Sequence, residues 1–357
     1  MGKKHYIIPI FVPHKGCPHD CIFCNQKRIT GTEGENVDGE YVKRTIDEYL
    51  KTINSREAFV EVSFFGGSFT AIPMDYQNQL MEPAKAALEE GRINAIRLST
   101  RPDYIDDNIL NNLKIHGASI IELGVQSLDE KVLAASGRGH SAEAVYEASR
   151  LIKEKGFVLG HQLMLGLPLD SQEKDIESAK KSISMKPDIC RIYPALVIRN
   201  TPMEDLYYKG RYKPYSLEDT VETAKKVYSL YYANGIPVIR VGLQPTDNIN
   251  VHGDVVAGPF HPAIRELVEG SLLNDMLYEA LREAKGRWEV HINNRYISRL
   301  YADKKRYFNR VKEKLDDCRL QVVSDESTPL EEIHINNGDI GQRLYLKQYM
   351  DKISAAL

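Results

Sequence analysis

Three of the five cysteines stand within eight residues, Cys17, Cys21 and Cys24 in the run CPHDCIFC. Thiolates gathered so closely are soft metal ligands rather than partners in a secreted disulfide framework. A 4Fe-4S cluster usually takes four thiolates, so a loop that offers three leaves one iron open to a small molecule. S-adenosylmethionine suits that iron, having an amino and a carboxylate group to give it. The alternative is a tetrahedral zinc site completed by His14 or His19, which would make the chain a binding module without catalysis. Cys190 and Cys318 are too remote in sequence to be assumed as a fourth ligand, and Cys190 reads as a buried core thiol.

Further along, polar groups recur wherever an apolar run stops. FFGGSFT carries Gly66, Gly67 and Ser68, where two glycines let backbone approach a ligand closely, or where Ser68 or Thr70 caps the next helix. LSTRPD carries Ser99 with Arg101 and Asp103, ELGVQSLD carries Gln126, and SGRGH carries Arg138. GHQLMLGLP brings His161, Gln162 and Met164. Side chains alternate across a strand, so only one of His161 and Gln162 can face a given side. ICRIYPALV places Tyr193 just before a proline at a strand end, a position suited to facing a substrate.

These motifs need a scaffold that gathers strand ends, and the chain has its rhythm. Strands are expected over Tyr6 to Val12, Phe59 to Phe65, Ala95 to Ser99, Ser119 to Val125, Val158 to Leu165 and Ile189 to Val197. Helical segments lie between them. Six strands with crossover helices predict an α/β fold: a parallel sheet curled into a partial (β/α)6 TIM-like barrel, whose chemistry collects at the strands' C-terminal ends. Pro237 to Leu243 can add an edge strand, and Ile264 to Ala284 reads as a helix packed back on the barrel. From about Gly286 the pattern changes to short strands around a basic helix, Asp303 to Lys314. That predicts two domains, residues 1–285 and a small C-terminal α+β appendage over 286–357. The stretch from Gly31 to Gly39 reads as an exposed loop.

Cys-x3-Cys-x2-Cys with Phe23 before the last cysteine resembles the radical S-adenosylmethionine superfamily, over about Tyr6 to Val268. TRPD, GVQSLD, SGRGHS, GHQLMLGLP and RIYPALVIRNTPMEDLYYKGRYKPYS resemble most the radical half of the Elongator catalytic subunit. Several of the same stretches also resemble coproporphyrinogen oxidase-like proteins. The resemblance implies a 4Fe-4S cluster on Cys17, Cys21 and Cys24, and S-adenosylmethionine beside it. It gives the Gly66–Gly67–Ser68 turn to the methionine amino group. Ser99 then stands where relatives place an acidic residue toward the adenosyl moiety. Gln126 is directed to the ribose and carboxylate region, Arg138 to the methionine carboxylate, Gln162 to the adenosyl group and Met164 to the adenine.

The implied reaction is reductive cleavage of S-adenosylmethionine to a 5'-deoxyadenosyl radical that abstracts hydrogen, fed by an external flavodoxin- or ferredoxin-type reductant. Two substrate classes follow from the two resemblances, a tRNA base or a small molecule such as a tetrapyrrole. A net charge of −3 offers no global attraction to RNA, so a tRNA partner needs a local basic patch. The basic helix, with Tyr301, Tyr307 and Phe308 among its cations, is either that patch or a solvated face with its aromatics turned inward. No apolar run reaches the roughly 18 residues of a membrane span, and a cytoplasmic location is expected.

Overall fold

The computed structural model describes residues 4–12, 21–25, 37–53, 57–246, 249–250 and 253–357. Cys17, His14, His19 and most of the expected loop from Gly31 to Gly39 lie outside the described residues. Along the chain run β1 (His5–Val12), α1 (Gly39–Thr52), β2 (Phe59–Gly66), α2 (Met74–Glu89), β3 (Ala95–Thr100), α3 (Asp107–Ile115) and β4 (Ala118–Gln126). Then come α4 (Glu130–Ala135), α5 (Ala142–Glu154), β5 (Val158–Leu165), α6 (Gln172–Ser184), β6 (Ile189–Pro194), β7 (Val197–Ile198), α7 (Pro202–Tyr208), α8 (Leu217–Ala233), β8 (Val238–Val241), β9 (Val255–Ala257) and α9 (Ile264–Leu281).

Seven parallel strands, in the order β1-β2-β3-β4-β5-β6-β8, make one sheet that curls into a half-barrel with helices outside. The period of two explains its two faces. Ile8, Ile10, Val62, Phe64, Leu98, Ile121, Leu123, Leu159 and Ile192 are buried in one hydrophobic cluster with Val42, Ile46, Leu80 and Ala84 of the outer helices. The alternate positions carry Glu61, Ser63, Arg97, Ser99, Glu122, Gln162, Arg191 and Tyr193, which line the inside of the curl. Helices start where strands end because the turns supply caps. Asp106, Ser141 and Ser171 accept hydrogen bonds from the amides of Ile109, Ala144 and Lys174 at the starts of α3, α5 and α6. Gly117, at φ 76°, takes the left-handed turn that ends α3.

A second, four-stranded sheet follows, built from β10 (Gly286–Ile292), β11 (Cys318–Ser324), β12 (Glu332–Asn336) and β13 (Gly341–Tyr345), in the order β11-β10-β12-β13. Its helices are α10 (Ile297–Leu300), α11 (Ala302–Lys314) and α12 (Leu346–Ala355). Val290, Ile292, Ile333 and Met350 join the same hydrophobic cluster as α9, so this sheet is packed onto the barrel.

Several elements differ from the sequence expectation: α4, α7, α12, β9 and β13 are additional to it, and two further differences have a clear physical reason. The strand expected from Ile189 to Val197 stops at Pro194, and β7 pairs antiparallel with β9 instead. Proline has no N–H to continue the ladder, and Ala195 N–H reaches back to Leu165 O at 2.9 Å as the chain turns. Helix α8 was not expected at all. It buries Thr220, Val221, Thr223, Ala224, Lys225, Val227, Tyr228 and Leu230, residues on most of its circumference, so no apolar stripe of helical period marks it. Among the described residues no helix is long and apolar enough to cross a membrane.

Candidate functional site

Residues 21–25 lie across the C-terminal rim of the barrel and are tied down by backbone. Cys24 N–H donates to Cys21 O at 2.9 Å, closing a turn. Ile22 N–H donates to Ser136 O at 3.1 Å, and Ile22 O accepts from Met203 N–H at 2.9 Å, the first turn of α7. Ile22 and Phe23 pack with Met164, Leu167, Val197 and Met203. The apolar residues between the cysteines thus anchor the turn to the ends of β5 and β7, and Met164 serves as packing beneath it. Cys21 is buried.

At the neighbouring strand end, Gly66 has φ 112°, and a Cβ there would lie 2.4 Å from Val12 O. No side chain fits between the ends of β1 and β2. Gly67 N–H points to the same carbonyl at 3.5 Å. The buried hydroxyl of Ser68 is already engaged. It accepts from Arg101 N–H at 2.9 Å and lies 3.3 Å from Thr100 Oγ1. Thr100 Oγ1 in turn lies 2.6 Å from Thr70 Oγ1. Ser68 therefore ties the end of β2 to the end of β3.

Gln126 and Arg138 come together at the end of β4 over Gly124. A Cβ on Gly124 would sit 3.0 Å from Gln126 Nε2 and 3.3 Å from Arg138 Nη2, so this glycine makes room for both side chains. Gln126 holds a left-handed φ of 65°, which turns its amide inward, and its Oε1 is buried without a partner among the described residues. Arg138 is 5% exposed. Its Nη2 donates to Gly124 O, its Nη1 reaches Cys21 Sγ at 3.3 Å, and its Nε is buried and unpartnered among the described residues. Arg101 forks onto Asp103 at 2.9 and 2.8 Å and donates to Arg138 O. Burial pushes the Asp103 carboxyl up, but that fork holds it below its usual range. His140, beside them, is lowered to about 3 by burial and by the Arg138 and Arg101 cations, so it is neutral.

Below this rim the barrel is closed by charge, which sequence reasoning missed. Arg97 Nε lies 2.8 Å from Glu61 Oε1, and Arg97 Nη1 pairs with Glu122. Arg191 Nε lies 2.8 Å from Glu122 Oε2 and its guanidinium sits over the Phe65 ring. All four groups are buried. Burial raises the Glu122 carboxyl, yet Arg191 and Arg97 outweigh it and hold the group below the ordinary carboxylate range. Gln162 Nε2 donates to Glu122 Oε2 at 2.7 Å and to Ser99 Oγ at 3.3 Å. A Cβ on Gly160 would lie 2.8 Å from Glu122 Cγ, so that glycine gives the glutamate its space. The signal was available: FVEVSF, AIRLST, IIELGV and ICRIYP each hold one charge within an apolar strand. Tyr193, opposite Met164 in the β5–β6 register, is raised by burial and stays a neutral phenol. His161 faces the other way, toward the helices, between Ser149 Oγ at 3.0 Å and Ser182 Oγ at 2.7 Å. Cys190 is a fully buried core residue.

The basic helix does not reach this rim with its aromatics. Tyr307 and Phe308 are buried in the core cluster, and Arg306 and Arg310 both pair with Glu218, at 3.0 and 2.7 Å.

A curled parallel sheet that gathers a cysteine turn and unmet polar groups at its C-terminal rim defines an α/β barrel protein built to hold a metallocentre beside a small polar ligand. The chain belongs to the radical SAM superfamily: the family model described as Radical SAM superfamily matches residues 11–180, and that of the Radical_SAM C-terminal domain matches 187–274. It is 30% identical over 264 residues to a tRNA uridine(34) acetyltransferase of Methanocaldococcus infernus, covering 63% of this chain and 49% of that protein. It is 29% identical to human Elongator complex protein 3 over 263 residues, covering 61% of this chain and 48% of that one. The chain thus spans about half the length of the curated relatives it matches. Among solved structures, archaeal Elp3 of Methanocaldococcus infernus lacking its N-terminal residues 1–46 superposes with a TM-score of 0.61 at 24% identity, over 82% of this chain and 67% of that one, and shares the fold.

The superfamily's cofactors are a 4Fe-4S cluster and S-adenosylmethionine, and the rim fits them. Soft sulfur stands at Cys21, a buried arginine keeps an unused Nε donor, and a buried amide oxygen has no partner among the described residues. Such orphaned groups in a native fold call for a ligand carrying the complementary donors and acceptors.

Proposed function

We propose that this chain is a radical SAM enzyme acting on a tRNA base, with its cluster on Cys17, Cys21 and Cys24. When bound, the cofactors supply reductive cleavage of the carbon–sulfur bond, giving methionine and a 5'-deoxyadenosyl radical that takes hydrogen from the substrate, with the electron coming from a flavodoxin- or ferredoxin-type donor. The chain's own part is placement and exclusion. Arg138 offers its unused Nε edge to a carboxylate, Gln126 offers Oε1 to an ammonium or hydroxyl, and the Gly66–Gly67 turn lets a ligand lie against backbone. Gln162, held by Glu122, and Ser99, which accepts from Gln162, form the polar base of the pocket, and Tyr193 and Met164 close its β5–β6 side against water. The observation that carries the reading is the meeting of Arg138 with Cys21 in a buried site where a donor and an acceptor have no partner among the described residues.

The tRNA half of the proposal is supported by the relatives named for uridine 34 of tRNA and by one surface. Helix α7 starts at the amide that holds Ile22 and ends in a Tyr207–Tyr208 ring pair 5.5 Å apart, with Tyr208 69% exposed. Exposed Lys209, Arg211 and Lys213 follow it. Aromatic rings beside cations suit stacked bases and phosphates, and this surface is linked directly to the cysteine turn. Thiolates able to hold a cluster also suit a reducing cytoplasm.

The test is anaerobic iron–sulfur reconstitution followed by reductant, S-adenosylmethionine and either tRNA or a metabolite pool. We expect 5'-deoxyadenosine to appear and to rise with tRNA. Nucleoside no higher than in Cys24→Ala protein would overturn the enzymatic reading, and stimulation by metabolites alone would move the substrate to the small-molecule class.

A further inference from the structure

We propose that Arg138 is a positioning residue of the cluster itself: its guanidinium donates to the Cys21 sulfur and sets the reduction potential of the metal centre. This inference rests on reading the cysteine turn as the cluster site. It differs from a carboxylate clamp, which would use the Nε edge, because the sulfur contact uses Nη1.

Arg138 is buried, and no carboxylate of the described residues lies within ion-pair distance of it. Its described acceptors are Gly124 O and Cys21 Sγ. A buried guanidinium is strongly disfavoured unless an anion answers it, and here the group available on the protein side is sulfur. Arg101, the other cation at this sulfur, differs in kind. Its Nη1 is 3.9 Å from Cys21 Sγ, but its charge is met by the Asp103 fork. Its role is to brace: it donates to Arg138 O and so fixes the backbone from which the Arg138 side chain extends. Gly124 completes the arrangement, since a Cβ there would crowd Nη2 to 3.3 Å.

Hydrogen bonds to cluster sulfurs and nearby positive charge favour the more negative, reduced state of the metal centre. Arg138 supplies both at one sulfur. Its removal therefore makes the cluster harder to reduce before any ligand has bound.

The experiment compares parent protein, Arg138→Gln, Arg138→Lys and Gly124→Ala, each reconstituted anaerobically without S-adenosylmethionine. Iron and sulfide are counted, and the reduced cluster is followed by electron paramagnetic resonance during a redox titration. We expect Arg138→Gln to carry a full cluster whose reduced-to-oxidised ratio, at the parent's midpoint, falls about tenfold, the scale of one charged hydrogen bond. Arg138→Lys, which keeps the charge and loses the fork, should fall less. An unchanged midpoint in Arg138→Gln with full iron content overturns the inference while leaving the proposed enzyme intact. Should Arg138→Gln lose its cluster, Gly124→Ala decides: a lowered midpoint supports the role, and an unchanged one removes it. Parent protein that takes up no cluster would remove the proposed function and this inference with it.

Discussion

Gln162 Nε2 meets Glu122 Oε2 at 2.7 Å, and the same carboxylate also pairs with Arg97 and Arg191. One glutamate inside the half-barrel therefore orients an amide beneath the ligand pocket and, with Glu61 supplying the second negative charge, pairs with two buried guanidinium groups. Its removal should be felt at both levels.

Glu122→Gln keeps the shape and deletes the charge, leaving Arg97 to Glu61 and Arg191 with no carboxylate partner among the described residues. Breaking a buried pair from one side costs on the order of 3 kcal/mol, because the remaining charge is left uncompensated. Urea denaturation at neutral pH should show that loss as a lower midpoint. A difference under about 1 kcal/mol would mean that the ladder relaxes without Glu122.

The pH dependence of that difference has a definite sign. The Glu122 carboxyl is lowered in the folded protein, so its stabilisation is fully present above the ordinary glutamate range, near 4.3 when unfolded. It is lost as pH falls through the folded value. The stability gap between parent and Glu122→Gln should be largest at pH 6 to 7 and shrink only below roughly pH 4. A gap that closes between pH 7 and 5 contradicts this.

Gly66→Ala forces a Cβ to 2.4 Å from Val12 O, which is backbone, at a φ of 112° that alanine avoids. Neither partner is a flexible side chain end, so the strand ends must part. A cost of about 3 kcal/mol is expected, the upper end of what an overpacked core side chain incurs. Thermal unfolding measures it, and iron retention should drop in parallel because β1 leads directly into the cysteine loop.

Gln126→Ala removes the buried acceptor that has no partner among the described residues. In reconstituted protein, equilibrium binding of S-adenosylmethionine should weaken about tenfold, the worth of one buried hydrogen bond to a charged donor. Unchanged affinity would assign Oε1 to something other than this ligand.

Tyr208→Ala and the pair Lys209→Ala/Arg211→Ala should each weaken tRNA binding several-fold. The pair should also lower the salt slope by about 1 per lost phosphate contact. Lys304→Ala/Lys312→Ala on α11 should leave both unchanged, because the aromatics of that helix are turned into the core. The reverse pattern, read in a filter-binding salt series, would move the RNA surface to the second sheet.

What the sequence determined by itself is whatever repeats locally. Apolar runs of period two, caps at their ends and glycines after the helices specify alternating strands and helices, and each signal lies within a few residues. Local spacing also set out the cysteine cluster of CPHDCIFC and the opposed directions of His161 and Gln162, which the structure places toward the helices and toward Glu122. The tertiary structure alone decided what depends on groups far apart in the chain. Arg138 meets Cys21 across 117 residues, and Glu61, Arg97, Glu122 and Arg191 become one neutral ladder only once the five neighbouring strands β2 to β6 stand side by side. Each of those charges, met singly in its strand, looks like an error in an apolar run. Helix α8 was hidden for the related reason that burial on most of its circumference erases the stripe by which a helix is recognised. Pairing across the sheet is a matter of register and curl, and neither is encoded within any single segment.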